Sequence, residues 1–255
     1  MRNKKAILEF YILFIKNALS YKISFFWTII MPTVFLIWRN PNWFKNSPSE
    51  TEFYSTIVYF CAYIILIVAG NGFGVGLLSL RENNFLKMFK FISGSKSPVI
   101  IGHFLAQGTF LFLNIIIFTG TMGALFASSL LLKTLTAVLI VGLLTILPIF
   151  LFFMWVPSLK LKVESVSPIF SLLPILLVYL AGLRSENEII ELLSYLNPIK
   201  LVIGIAFKTS QLLSITSTDF PTVSWVLVIV IPILYISIGI VFINRIDLRS
   251  FSVRS

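Results

Sequence analysis

Residues 134–159 read TLTAVLIVGLLTILPIFLFFMWVPSL, a run of 26 residues without a charge, bounded by Lys133 and Lys160. A helix rising about 1.5 Å per residue needs roughly 20 apolar residues to cross the hydrocarbon core of a bilayer, so this run is long enough for one span. Five further uncharged windows follow the same rule: Ile23–Trp38, Phe53–Leu80, Ser97–Leu132, Ser165–Leu183 and Phe220–Asn244. Ile23–Trp38 is short, but Ala18–Leu19 extend its apolar face and Lys22 can snorkel. Ser97–Leu132 is long, yet it holds no central polar turn and reads as one helix with an apolar, partly external end. The windows predict an all-α integral membrane bundle of six transmembrane helices in a single domain, 1–255.

Composition leads to the same class. The 255 residues are 58% hydrophobic and 12% charged, with a mean hydropathy of +0.98, where soluble domains carry about 25% charged residues. This excludes a soluble enzyme, a secreted disulfide scaffold and a disordered chain. The single cysteine, Cys61, has no partner for an internal bridge. The basic N-terminus leads into a span with no small-residue cleavage site after it, so the first helix is expected to be retained.

Charge sets the orientation. Segments 1–22, 81–96, 160–164 and 245–255 hold fourteen of the twenty Lys and Arg residues but only Glu9, Glu82, Glu164 and Asp247. The opposite set holds Arg39, Lys45, Lys133, Arg184, Lys200 and Lys208, matched by Glu50, Glu52, Glu186, Glu188, Glu191 and Asp219. All of the net +10 therefore falls on the side of the termini, which places both termini in the cytoplasm. Because this excess flanks the spans, no nucleic-acid partner is expected.

Three segments are more than connectors. Along Met1–Ser20, Ile7, Phe10, Tyr11, Phe14, Ile15, Ala18 and Leu19 share one helical face, with Lys5, Glu9, Lys16 and Asn17 off it. This is the pattern of an interfacial helix on an anionic leaflet, free also to touch a cytosolic partner. Arg81–Ser97 carries Phe85, Leu86, Met88, Phe89, Phe91 and Ile92 before the breakers Gly94 and Pro98. Phe85, Met88, Phe89 and Ile92 share a face, which either rests on lipid headgroups or docks in a partner's groove. Arg184–Thr222 is an external segment too apolar to stay in water and is expected to dip back as re-entrant or interfacial helices. There it would cap an outward cavity or fill space.

These residues in this order resemble the type 2 ABC exporter permeases (the ABC-2 membrane subunits), over essentially the whole chain. The likeness rests on the basic N-terminal helix, Met31-Pro32 in the first span, and Arg81-Glu82 closing the second. The Phe/Leu-rich loop helix, Leu196-Asn197-Pro198 and the short basic tail complete it. It implies that 1–20 is a connecting helix with Lys5, Phe10, Phe14 and Lys16 at work, and that 82–91 is a coupling helix acting through Arg81, Glu82, Phe85, Leu86, Met88 and Phe89. Both would dock on a separate cytosolic ABC ATPase, two copies per complex, which holds ATP and Mg. The chain itself would take no cofactor. A second permease half would complete a dimer, with the second and fifth spans lining the path. Where family loops often carry Gly after the acidic residue, this chain has Asn83-Asn84.

No Gly-x-x-x-x-Gly-Lys-Ser/Thr occurs, so the chain has no phosphate cradle of its own. The glycines Gly70, Gly72, Gly74 and Gly76 lie inside an apolar span, outside any strand–turn–helix context, and their spacing permits close helix contact. His103, the only histidine, has no acidic or cysteine neighbour in sequence, so no metal site is expected and a structural role is. No span contains an acidic residue, which argues against proton coupling and leaves the energy to a partner. Path candidates are aromatic: Phe53, Tyr54, Tyr59, Tyr63, Phe73, Phe170 and Tyr179.

Such a lining suits amphipathic or lipophilic cargo. The first expectation is export of membrane-active peptides, of toxin or lantibiotic type, from a bacterial cell membrane. Lipophilic drugs or a lipid-linked glycan are the alternatives for cargo. The rivals of another class are a lipid-modifying membrane enzyme and a non-transport anchor subunit. The orientation is testable in a Cys61→Ser background: Asn46→Cys should react with a membrane-impermeant maleimide on intact cells, and a cysteine added beside Met1 should react only after lysis. The reverse labelling would overturn it.

Overall fold

Uncharged windows separated by charged turns become antiparallel helices in the computed structural model, which describes residues 2–182, 194–213 and 225–246. In chain order these are α1 (Arg2–Ser20), α2 (Lys22–Arg39), α3 (Glu50–Glu82), α4 (Phe85–Ser93), α5 (Ser97–Phe126), α6 (Leu131–Phe152), α7 (Val163–Gly182), α8 (Pro198–Leu212) and α9 (Trp225–Arg245). Short 3-10 turns at Pro41–Phe44, Ser128–Leu130 and Phe153–Ser158 link them. Among the described residues there is no strand.

Local chemistry sets several boundaries. The Ser49 side chain accepts a hydrogen bond from the Glu52 amide at 3.3 Å, with Glu50 and Glu52 in the first turn where the helix dipole favours acids. The Asn197 side chain accepts from the Ile199 amide at 2.9 Å, and Pro198 follows in the first turn of α8. Asn84, at φ 60°, turns the chain between α3 and α4, and Gly94, at φ 82°, ends α4. Both occupy the left-handed region, which asparagine tolerates better than most residues and glycine best.

α3 forms the centre. Phe53, Tyr54, Ile57, Val58, Cys61, Ala62, Ile64, Ile65 and Leu66 are all buried there, packed by α2, α5, α6, α7 and α8. Hydrogen bonds fix the relative heights. Lys133 pairs with Glu50, and the Trp43 indole donates to Glu52 at 2.9 Å, at one end of the bundle. Arg81 reaches Pro157, and Lys96 donates to the Ile243 carbonyl at 2.7 Å, at the other. Of the fourteen basic residues expected on one side, Arg81, Lys96, Lys160, Lys162 and Arg245 lie near one another at one end of the bundle.

Five helical segments are long and apolar enough to cross a membrane: Glu50–Glu82, Ser97–Phe126, Ser128–Ser158, Val163–Gly182 and Val228–Arg245. A sixth is reached only by counting α1 and α2 together across their 56° bend. The third expected window, Ser97–Leu132, ends early: α5 stops at Phe126 and Ala127–Leu130 turn the chain. Lys133 therefore belongs to the first turn of α6, where Glu50 satisfies it.

Of the segment 184–222, expected to be external, residues 184–193 and 214–222 lie outside the described residues, as does the tail after Ile246. The remainder is α8, packed into the bundle. The Tyr235 hydroxyl, midway along α9, donates to the Leu196 carbonyl at 2.5 Å, and Asn197 Nδ2 donates to Leu177 at 2.8 Å. At the far end the Tyr54 hydroxyl donates to Ala206 at 2.9 Å. The helix thus climbs from mid-bundle toward the Glu50 end. Its fifteen residues cover about 22 Å, short of the roughly 30 Å core of a bilayer.

Arg81 and Glu82 close α3, as expected for the end of the second span, and the loop helix begins only after them. Arg81 is 2% exposed. Its Nε and Nη2 donate to Glu82 Oε1 at 3.0 and 2.7 Å, and Nη1 donates to the Pro157 carbonyl at 2.7 Å, clamping α3 to the turn before α7. Breaking one partner of a buried pair costs about 3–5 kcal/mol. Arg81→Met should therefore lower the thermal midpoint of the purified protein sharply, and Arg81→Met with Glu82→Gln should lose less. Equal losses would show that the pair itself carries little.

Candidate functional site

The basic end carries the densest cluster of the residues singled out in sequence. Gly102, near the start of α5, is where α1 crosses it. A Cβ there would lie 2.6 Å from Phe10 Cβ, 3.0 Å from the Tyr11 amide nitrogen and 3.2 Å from the Ile7 carbonyl oxygen. Only a glycine permits two helix backbones to come so close. The Tyr11 and Thr109 hydroxyls, 3.3 Å apart, add a polar tie along the same seam.

On this seam Phe10 and Phe14 are buried and meet Phe89 of α4, with ring centroids 5.0 and 6.1 Å apart. Phe14 also stands edge-on to His103 at 4.9 Å. Such pairs contribute about 0.5–1.5 kcal/mol each beyond burial. Lys5 and Lys16 stay on the exposed side of α1, with Lys5 loosely paired to Glu9 at 4.0 Å.

The loop helix expected over 82–91 runs over Phe85–Ser93, because Asn84 breaks the helix first. Its apolar residues divide. Leu86 is buried and Phe89 is half-buried, facing α1 and the bundle, while Phe85 and Met88 are each 45% exposed and Phe91 is 78% exposed. Lys87 and Lys90 stand exposed beside them. The result is an apolar strip rimmed by lysines at the end of the molecule. Burial, and secondarily the charge of Lys90, hold the Lys96 ammonium below the usual lysine pKa while it caps the carbonyl end of α9.

The path candidates are not brought together. Phe53, Tyr54, Phe73 and Phe170 are packed in the core, and Tyr179 is exposed on α7. Tyr59 and Tyr63 face a cavity between α2, α3 and α7. His103 is a packing residue: its Nε2 lies 3.1 Å from the Gly72 carbonyl oxygen, and its ring stacks on Phe73 at 5.7 Å. Among the described residues no three His, Cys, Asp or Glu side chains gather as a metal site.

Two features were missed in sequence. Residues Val68–Val75 of α3 form a π-helical segment, a rare geometry with no reliable residue signature beyond its glycines. Its glycines admit neighbours closely: a Cβ at Gly70 would meet Phe170 at 3.2 Å, at Gly72 Gln107 at 2.4 Å, at Gly74 the Phe153 backbone at 3.3 Å, and at Gly76 His103 at 2.8 Å. The second is Gly102, an isolated glycine without a GxxxG partner. Only the helical spacing of α1 could have hinted at it.

Fold and site together define a helical protein of transmembrane character with a built amphipathic cluster at its basic end. The chain matches no known protein family, and neither a curated protein nor a solved structure shows significant similarity to it.

The seam is testable. Gly102→Ala should destabilise the protein by about 1–3 kcal/mol through overpacking, read as a lower thermal midpoint and faster proteolysis after Lys16. Gly120→Ala, where nothing lies within 4 Å of the added carbon, should leave both unchanged. An unchanged Gly102→Ala would mean that α1 is not held at this crossing.

Proposed function

We propose that this chain is the membrane-spanning permease subunit of an ATP-driven exporter of the ABC-2 type, in a bacterial cell membrane. Its six spans are α2, α3, α5, α6, α7 and α9, with both termini cytoplasmic. α1 lies at the inner interface as the connecting helix, α4 is the coupling helix, and α8 with its flanking residues forms the external re-entrant segment. Two permease halves and two ATPase subunits make the complex. The partner binds and hydrolyses ATP with Mg. The cargo is amphipathic or lipophilic, with membrane-active peptides first in line.

One observation supports this above the others: α4 is fixed on its inner side by Leu86 and Phe89, yet presents Phe85, Met88 and Phe91 outward between Lys87 and Lys90. A helix that only rested on headgroups would not need the second contact to α1. A helix that passes force from a partner does, because its motion has to reach the bundle. The aromatic ring packing of Phe10, Phe14 and Phe89 supplies that link.

Affinity capture of the tagged chain from its native membranes should bring down a Walker-motif ATPase. Met88→Asp combined with Phe91→Asp alters only the outward strip, so it should cut that recovery by more than about tenfold, as loss of interface hot spots does, with the thermal midpoint unchanged. Capture of the wild-type chain alone, or full recovery with the double variant, would defeat the assignment.

A further inference from the structure

Between α2, α3 and α7 lies a pocket of about 270 Å³. Its walls are apolar and aromatic, with Pro32 and Phe35 on α2, Tyr63 on α3, and Ile175 and Val178 on α7. From Pro32 to Arg39 the α2 wall runs seven residues, about 10 Å along the axis. The cavity is therefore a slot parallel to the helices. Its end is marked by Arg39, in the last turn of α2. Trp38 beside it is exposed, the position that aromatic residues take at a membrane–water boundary.

Among the described residues nothing neutralises Arg39. No ion pair or hydrogen bond among the described residues uses its guanidinium, whose carbon sits 5.9 Å from the centroid of the Tyr59 ring. The described carboxylates at the same end of the bundle are committed elsewhere: Glu50 to Lys133 and Glu52 to the Trp43 indole. Tyr59, the wall's polar candidate beside it, already donates its hydroxyl to the Val178 carbonyl at 2.9 Å. Among the described residues, what remains is an aliphatic and aromatic slot with an unpaired planar cation at its boundary end.

We infer that this slot binds an anionic phospholipid of the surrounding bilayer, one acyl chain lying along Phe35, Tyr63 and Val178 and the phosphate on Arg39. Three features select this occupant. The cation demands a negative head, and a guanidinium fork matches two phosphate oxygens. The slot's direction is that of a lipid chain in a bilayer. Its volume lies below the roughly 300–1,000 Å³ of pockets for drug-sized ligands, which suits a single chain better than a fused ring system or a folded peptide. The lipid would wedge α2 against α7. The inference goes beyond the export reading and does not depend on it.

Native mass spectrometry of the purified, delipidated full chain tests it with dioleoyl phosphatidylglycerol, dioleoyl phosphatidylcholine and glycerol phosphate as probes. One phosphatidylglycerol per chain should be retained, about fivefold in preference to phosphatidylcholine, as expected for one arginine near an anionic head. Glycerol phosphate, lacking a chain, should not bind. Arg39→Gln should equalise the two lipids. Ile175→Trp, at a surface position that tolerates bulk, should block the slot and release both, with circular dichroism confirming that each variant is folded. Equal retention of the two lipids by the wild-type chain would overturn the proposal, as would an undiminished preference in Arg39→Gln or retention despite Ile175→Trp. If no lipid is held and Phe35→Cys crosslinks two copies, the slot is an interface between copies and the proposal falls. Failure of ATPase capture would leave these results untouched.

Discussion

A close backbone approach at Gly102 orders the basic end. Because this residue has no side chain, the Phe10–Tyr11 stretch of α1 can lie directly on α5. The buried aromatic rings then fall into place: Phe10 and Phe14 reach Phe89 on one side, and Phe14 reaches His103 on the other. Remove the approach and α1 becomes an amphipathic helix held by a headgroup layer, with nothing to connect it to α4. A glycine contributes here by what it omits, which is why dispersion over many atoms, not any single bond, secures the seam.

The π-helical segment of α3 obeys the same logic in the interior. Around Gly70–Gly76 four neighbours press on one helix from different sides: Phe170 from α7, Phe153 from the turn after α6, and Gln107 and His103 from α5. Asn71 adds a hydrogen bond to the Phe170 carbonyl at 3.2 Å. Widening the helix re-aims these contacts relative to a regular α-helix. The central span can thus serve three packing partners in eight residues.

Much of the architecture was legible in charge spacing and apolar windows, because the cost of burying a charge in lipid is large and local. The helical face of α1 was legible for the same reason: Ile7, Phe10, Tyr11, Phe14, Ile15 and Ala18 are buried or half-buried, whereas Leu19 is exposed. The limits of the loop helix were not, because an apolar run does not show where asparagine will take a left-handed turn, and Asn84 moved the start to Phe85. The division of α4 into Leu86 and Phe89 inward, Phe85 and Met88 outward depends on where α1 lies, which is a tertiary fact. The path candidates are spread over the core and surface of the chain for a similar reason. Aromatic residues on α3 and α7 serve the core of one chain equally well, and composition does not distinguish a packed ring from a lining one.

The arrangement of contacts at the basic end has a mechanical consequence. α4 joins α3 through two residues, Asn83 and Asn84, and touches α1 through Phe89. α1 is held against α5 at Gly102. The far side of the α3 terminus is clamped by Arg81 to the Pro157 carbonyl, just ahead of α7, while Lys96 at the head of α5 holds the last carbonyls of α9. A displacement applied at the exposed strip of α4 would therefore act on α3 and α5 directly, on α7 through its packing against α3, and on α9 through the Lys96 tie. Packed interiors resist such a displacement by moving as units instead of deforming smoothly. The π-segment, where the regular hydrogen-bond ladder of α3 is already altered, is the place along that helix where such units can part.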